Sequence, residues 1–287
     1  MKTFFTFCLL LQTYLLSAQL KFETKFYDAV NKWVLFDSND SDNDHILGFI
    51  YIDPTAGYTL RYYGLVIQEP TSLKLKTKSD ESLIIHRLAN NTSDVYVLND
   101  KELNTLNLKS EPDNFEHYKI NNPNLFLLKQ GSFLNGLQLS KAALKPLEEL
   151  YLKDKNFKGL AFELGFAYNA LGTPEKGIDL LESYLKNNNT DYWAMKELLL
   201  AYVETNELKK AEDLYNQLIK ISPSVAFKAE ITVYIAKGYL GLKDKQNFDK
   251  WISRAESYAN GNKQIMNYIE VDMQTKIGVL VKLHFYN

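Results

Sequence analysis

The chain has 287 residues, of which 46% are hydrophobic, 13% aromatic and 24% charged. This composition is typical of an ordinary globular protein with one large or two modest cores, and it excludes a disordered or collagen-like chain. The 33 basic residues nearly balance the 35 acidic residues, so the formal net charge is -2. No global field would gather nucleic acid or an anionic membrane surface, and the sequence predicts neither as a partner.

The first 18 residues have the pattern of a secretory signal peptide. Lys2 precedes an apolar run over residues 4–16, which is followed by the small residues Ser17 and Ala18. As a helix this run would span only about 20 Å, which is too short to cross a bilayer. We therefore expect cleavage before Gln19 and a mature chain without a membrane span that is periplasmic or secreted.

The single cysteine, Cys8, lies inside the apolar run. A lipoprotein signal would instead place its cysteine after the run, behind a small residue, so the sequence does not favour a lipid anchor. Removal of the signal peptide would leave a chain without cysteine. Such a chain suits an oxidising compartment and has no disulfides, thiolate metal sites or thiol nucleophiles.

The first half of the mature chain has the pattern of an antiparallel sheet. Short runs of β-branched and aromatic residues alternate with turn formers at intervals of about ten residues. The six predicted strands are WVLF, HILGFIYI, TLRYYGLVI, LKLK, SLIIHRL and DVYVLN. Prolines and asparagines between residues 111 and 124 then predict a linker, with a domain boundary near residue 120.

Beyond Pro123 the period becomes helical, and residue types recur 34 positions apart. The run LGFAYNALG at 164–172, followed by EKGIDLLESYL at 175–185, indicates a helix, a turn and a second helix. Small residues are needed where two helices approach closely, and large ones where one hairpin packs on the next. The recurring sets are Gly131 and Gly165; Tyr168 and Tyr202; Ala143, Gly177 and Ala211; and Leu150, Tyr184 and Leu218.

This pattern resembles the tetratricopeptide repeat (TPR), a helical hairpin of about 34 residues. The resemblance predicts units at residues 124–157, 158–191, 192–225 and 226–262. The match is degenerate, because Leu199 stands at a small-residue position and Tyr202 recurs only after 37 residues, as Tyr239. Since a proline inside a helix costs about 3 kcal/mol, we expect the second helix of the first unit to begin at Pro146 rather than at Ser140.

The predicted fold class is α+β multidomain: an antiparallel β-rich N-terminal domain followed by an all-α TPR-like helical-hairpin solenoid. The predicted domains are a signal peptide at 1–18, a β-rich domain at 19–120, helical repeats at 124–262 and a capping segment at 263–287. The pattern of the capping segment is compatible with a helix and with a strand. Ile265, Ile269 and Met273 have helical spacing, whereas residues 277–285 alternate like a strand. We favour a helix to about Lys276.

Motifs that carry chemistry are largely missing from the sequence. The histidines are scattered singly, at His45, His86, His117 and His284, and neither a hydrolase elbow nor a phosphate-binding glycine loop occurs. We therefore predict a protein that is not an enzyme, with no catalytic, cofactor-binding or metal site.

Two weaker hypotheses concern the β-rich half. Asp40, Asp42 and Asp44 have the spacing that opens a calcium loop, but His45 and Tyr51 replace the glycine and the glutamate that such a loop requires, which favours a solvated hairpin loop. A sugar-stacking platform is also conceivable, although strand alternation favours core positions for some of its members. Its residues would be Phe49, Tyr51, Tyr58, Tyr62 and Tyr63.

In the TPR family, the first helix of each hairpin supplies the inner face of the superhelix. The matching positions are Leu128, Ser132, Asn135, Phe162, Phe166, Asn169, Trp193, Lys196, Leu200 and Val203. The resemblance implies a docking surface with Phe162, Phe166 and Trp193 as anchors, Lys196 and Asn169 as orienting groups, and Leu200 beside them. The lysine and asparagine set that clamps a terminal carboxylate in some TPR proteins is missing.

We therefore predict an exported, non-enzymatic scaffold or adaptor that binds a protein or peptide of unknown identity on its concave surface. An alternative is that several of these residues pack against the β-rich domain or the capping helix. A rival function is a small-ligand or glycan-binding envelope protein with its site in the β-rich domain.

Overall fold

The computed structural model describes residues 20–37, 44–78, 84–222, 224–267 and 269. The chain divides into two compact units, residues 1–120 and residues 121–287. Each unit has its own hydrophobic core.

The first unit is an antiparallel sheet. Its strands are β1 (Lys32–Asp37), β2 (Asp44–Asp53), β3 (Gly57–Gln68), β4 (Leu73–Lys78), β5 (Ile85–Arg87) and β6 (Val95–Val97). The strand order is β4-β3-β2-β1-β6, and β5 pairs with β3. Each of the six predicted strands is present, so the prediction of an antiparallel β-rich region is confirmed.

The segment that follows β6 packs on the sheet. Helix α1 (Asp100–Thr105) begins with a capping box between Asn99 and Glu102, which fixes the start of the helix after β6. Further along, the Phe115 ring is buried 5.0 Å from the Phe49 ring and 5.5 Å from the Tyr51 ring. Residues 111–118, the first part of the predicted linker at 111–124, are therefore packed on the sheet core, because the Phe115 and Tyr118 rings contact it.

The second unit is all helical in the residues described. Its helices are α2 (Pro123–Gly136), α3 (Ser140–Lys153), α4 (Leu160–Ala170), α5 (Glu175–Leu185), α6 (Tyr192–Glu204), α7 (Leu208–Ile221), α8 (Val225–Gly241) and α9 (Lys245–Ala259). Each helix contacts the next one along the chain, and α2, α4, α6 and α8 also contact each other in succession. This is a TPR-like helical-hairpin solenoid, as the fold-class prediction stated.

Close helix contacts explain the glycines of the repeat pattern. A methyl group at Gly165 on α4 would come within 2.8 Å of the Leu181 side chain on α5 and 3.2 Å of Cβ of Glu197 on α6. A methyl group at Gly131 on α2 would overlap the Leu147 side chain on α3 in the same way. Glycine at these positions lets neighbouring helices approach, which is why it recurs 34 residues apart.

The expected helix start at Pro146 is wrong. Helix α3 begins at Ser140 and contains Pro146 in its interior, where the ring is buried. The proline removes one backbone donor, but the burial of its apolar ring compensates for part of that loss. Tertiary packing therefore outweighs the local preference.

The fourth hairpin is irregular, in line with the 37-residue interval in the sequence. Helix α8 has 17 residues whereas α6 has 13, so the hairpin is about one turn longer. Ile265, Met266 and Ile269 pack against the cluster formed by α8 and α9, and residues 263–267 are helical. The predicted continuation of this helix to Lys276, and the strand-like residues beyond it, lie outside the described residues.

Candidate partner-binding surface

Four rings on the first helices of successive hairpins form one cluster. Phe162 and Phe166 are four residues apart and share a face of α4, with ring centroids 6.3 Å apart. The Trp193 ring on α6 lies 5.9 Å from the Phe162 ring and 5.6 Å from the Phe227 ring on α8. We call these four residues, Phe162, Phe166, Trp193 and Phe227, the aromatic surface.

Trp193 is the exposed member of the aromatic surface. Its side chain is 43% exposed, whereas Phe227 is buried and the two phenylalanines on α4 are partly buried. Most tryptophans bury more of their area than this, since a large apolar ring left in water is unfavourable. An exposed tryptophan supported by other rings has the character of a binding anchor.

Lys196, one of the predicted orienting groups, is already engaged within the chain. Its Nζ lies 2.6 Å from Oε1 of Glu230 on α8 and sits over the rings of Trp193 and Phe227, at 5.4 and 6.0 Å from their centroids. Tyr234 also donates a hydrogen bond to Glu230, at 3.0 Å. The lysine charge is therefore compensated within the chain by Glu230.

Asn169, the second predicted orienting group, connects two helices. Its Nδ2 donates to the backbone oxygen of Glu197 at 3.0 Å and to Oε2 of the same residue at 2.9 Å. One repeat earlier, Nδ2 of Asn135 makes the same two contacts with Glu163, both at 2.9 Å. At the next repeat the equivalent residues are Val203 and Ile231, which are buried and apolar, so the asparagine–glutamate pairing ends there.

The surroundings of Glu197 raise the pKa of its carboxyl group. The side chain is only 2% exposed, and burial raises the pKa of its carboxyl group from 4.5 to about 7. The hydrogen bond from Asn169 and the charge of Lys196 oppose this shift, whereas the charges of Glu230 and Glu163 add to it. Glu197 is therefore a buried acid whose charge is only partly stabilised.

The remaining inner-face positions have mixed exposure. Leu128, Ser132 and Leu200 are partly buried, whereas Asn135 and Val203 are buried. The structure thus brings Phe162, Phe166, Trp193 and Lys196 together through ring and charge contacts, and joins Asn169 to α6 through Glu197. Sequence reasoning missed Phe227 and Glu230, although they lie 34 residues after Trp193 and Lys196 and the repeat interval would have found them.

The aromatic platform considered for the β-rich unit does not form. Phe49, Tyr51 and Tyr58 are buried in the sheet unit, so their faces are not available for stacking on a sugar. Tyr62 and Tyr63 are partly exposed, but adjacent strand residues point to opposite faces of a sheet.

The possible calcium loop lies mostly outside the described residues, which end at Asp37 and resume at Asp44 on either side of it. Within the part of the chain that the structure describes, no group of three or more histidine, cysteine, aspartate or glutamate side chains could hold a metal ion.

No family model matches this chain, and no curated protein matches it either. Two solved structures are similar to part of it. The structure titled "MamA MSR-1 C2" has a TM-score of 0.42 and 14% identity, and covers 48% of this chain and 78% of its own. The structure titled "Crystal structure of MamA" has a TM-score of 0.42 and 23% identity, and covers 52% of this chain and 85% of its own.

Length and polarity decide whether any of the helices in the described residues could cross a membrane. None of the helices there combines the length and the apolar character that a membrane crossing requires.

Proposed function

We propose that the chain is an exported, non-enzymatic scaffold or adaptor that binds a protein or peptide segment on the aromatic surface. The observation that carries this proposal is Trp193, which is 43% exposed at the centre of a ring cluster built from three successive hairpins. Large aromatic side chains that are rigidly supported contribute most of the energy of many protein interfaces.

The aromatic surface suits an extended or helical segment of the partner. Phe162, Phe166 and Trp193 would contact its apolar side chains, and Leu200, two turns after Trp193 on α6, would extend the contact area. Lys196 and Asn169 are held by Glu230 and Glu197, so they would present fixed polar groups at the edge. Because the Lys196 charge is compensated, the surface does not suit a terminal carboxylate.

Peptide selection followed by tryptophan fluorescence tests this function. A displayed library of random twelve-residue peptides is selected on the full chain, and the selected peptides are titrated. Trp33 and Trp251 are buried, so quenching by acrylamide reports mainly on Trp193. A peptide bound on the aromatic surface should protect Trp193 from the quencher.

The variants Phe166→Ala and Trp193→Ala should each weaken binding by about 2 kcal/mol, as interface hot spots do. Binding to the Trp193→Ala variant is measured by calorimetry, since the fluorescent reporter is lost. The matched control is Leu152→Ala, because Leu152 is 86% exposed on α3 and is not part of the aromatic surface. Equal binding by all three variants would contradict the proposal.

A further inference from the structure

The polar groups beside the aromatic surface are unevenly divided between acceptors and donors. Glu163, Glu197 and Glu230 place three carboxyl groups on the first helices α4, α6 and α8. The cation that the structure gives to these groups is Lys196, which lies against Glu230. The carboxyl groups of Glu163 and Glu197 receive hydrogen bonds from the amides of Asn135 and Asn169, which carry no charge.

Two acceptor atoms strengthen this imbalance. Oδ1 of Asn169 is buried and has no hydrogen-bond donor among the described residues, and the same is true of Oδ1 of Asn135 one repeat earlier. Buried polar atoms are nearly always hydrogen-bonded in proteins, because an unpaired one costs about 1 to 3 kcal/mol. Two such atoms at equivalent repeat positions add to the excess of acceptors over donors on these first helices.

The chain itself shows how a cation is held on this surface. Lys196 lies between the rings of Trp193 and Phe227 and the carboxylate of Glu230, so a cation, two ring faces and an acid form one unit. On the α4 side of Trp193, Phe162, Phe166 and Asn169 have the spacing i, i+4 and i+7 and so share one face of α4, and Asn169 donates to the Glu197 carboxyl group. The cation–ring contacts that Lys196 makes on this surface are with Trp193 and Phe227.

We propose that the partner segment carries a lysine or arginine among apolar residues, and that this cation docks over Phe162 and Phe166 beside the Asn169–Glu197 pair. This inference rests on the proposed function and defines the chemistry of the partner. The cation would be attracted by the ring faces and by the negative charge of the buried Glu197 carboxylate, which acts through space without direct contact. An acidic segment would instead bring like charges towards Glu163, Glu197 and Glu230.

The burial of Glu197 supports this assignment. Its raised pKa shows that the chain alone does not fully stabilise the carboxylate. A partner cation nearby would lower that pKa again, so the preference for a cation should strengthen as the pH rises from 6 to 8 and Glu197 ionises. The pH range of the effect follows from the folded-state pKa of about 7.

The same peptide selection tests the inference when it is run in parallel on the wild type and on Glu197→Gln. The conservative variant keeps an acceptor for Asn169 but removes the charge. Peptides selected on the wild type should be enriched in lysine and arginine and depleted in aspartate and glutamate. Those selected on Glu197→Gln should keep the apolar enrichment and lose the basic one.

A direct measurement uses one selected lysine peptide and its counterpart with norleucine at the same position, both with blocked ends. The two affinities are measured by acrylamide quenching of Trp193. At pH 8 the lysine peptide should bind the wild type about tenfold more tightly than the norleucine peptide does. This ratio of affinities should be smaller at pH 6, and it should be near one for Glu197→Gln. Glu182→Gln is the matched control, because Glu182 on α5 accepts from Tyr202 and is not on a first helix. This control should keep the wild-type ratio.

The possible results separate the two proposals. Apolar peptides without basic enrichment, or a lysine peptide that binds no better than its norleucine counterpart, would overturn the cation inference and leave the peptide-binding function standing. Enrichment of acidic residues would overturn the inference as well. Failure to select any peptide that protects Trp193 would overturn both.

Discussion

The burial and the pKa of Glu197 depend on residues of the neighbouring repeat. Glu197 packs against Gly165 on α4, and its side chain accepts a hydrogen bond from Asn169 on the same helix. The sequence marks neither contact, because glutamate on a helix is usually a solvent-exposed residue. Only the stacking of α6 on α4 buries the acid and raises its pKa.

Stability should therefore depend on pH through Glu197. Its folded-state pKa is about 7 against an ordinary value of 4.5, so between these pH values the folded chain binds the proton more tightly than the unfolded chain does. This contribution is most favourable at the acidic end and decreases as the pH rises to about 7, by up to roughly 3 kcal/mol. Chemical denaturation of the wild type and of Glu197→Gln at pH 5.5 and pH 8 measures the larger part of this change, about 2 kcal/mol.

Glu197→Gln should have the smaller loss of stability between the two pH values, because glutamine does not titrate. Glu182→Gln provides the comparison, since Glu182 also accepts a hydrogen bond from a neighbouring hairpin but its side chain is 39% exposed. The same pH dependence in wild type and Glu197→Gln would show that Glu197 does not titrate in this range.

At the scale of elements, the 34-residue interval predicts contacts as well as helices. Tyr168 donates to Glu148 at 3.1 Å, and one repeat later Tyr202 donates to Glu182 at 2.6 Å. Burial and the hydrogen bond to Glu148 raise the pKa of Tyr168 to about 12, so this hydroxyl stays protonated and remains a donor at neutral pH. Repeated side-chain contacts of this kind fix each hairpin on the next.

Close helix packing predicts opposite outcomes for two glycines of α2. Gly131→Ala should destabilise the chain by about 1 to 2 kcal/mol, because the added methyl group overlaps Leu147 and the lost space outweighs the better helix propensity of alanine. Gly136→Ala, on the same helix, has no atom within 4 Å of its added methyl group and should be neutral or slightly stabilising.

Denaturant unfolding followed by circular dichroism compares the two variants. A loss of stability of the same size for Gly131→Ala and Gly136→Ala would show that close contact with α3 is not the reason for glycine at position 131.

At the scale of the whole molecule, we propose that the chain is exported after removal of residues 1–18. The described part begins at Leu20, and Leu20 and Phe22 pack against the core of the sheet unit. Cleavage before Gln19 would leave these contacts intact, so the mature chain would keep its complete sheet.

This proposal is tested by expressing the chain in a bacterium, separating the cytoplasmic and envelope fractions, and measuring the mass of the chain in each fraction by mass spectrometry. The expected product lacks residues 1–18 and is found outside the cytoplasm, whereas Leu9→Arg should keep its full length, because a charge interrupts the apolar run. Full-length wild-type chain in the cytoplasm alone would contradict export.

The sequence by itself determined the elements and their periods. Alternating β-branched and aromatic runs predicted six strands, and recurrences at 34 residues predicted stacked helical hairpins, because both signals depend on local spacing along the chain. It also determined that Phe162, Phe166 and Trp193 occur at equivalent faces of successive first helices, from which a shared surface could be inferred.

Only the tertiary structure decided which side chains meet. Phe115 joins a segment that resembles a linker to the sheet core, Pro146 lies inside α3, and Lys196 is compensated by Glu230. Phe115 and Lys196 contact residues that are distant in the sequence, and the position of Pro146 depends on its burial. Local sequence patterns do not specify either of these. The exposed Trp193 and the buried Glu197 differ for the same reason, since the packing of α6 between its neighbours exposes the first and covers the second.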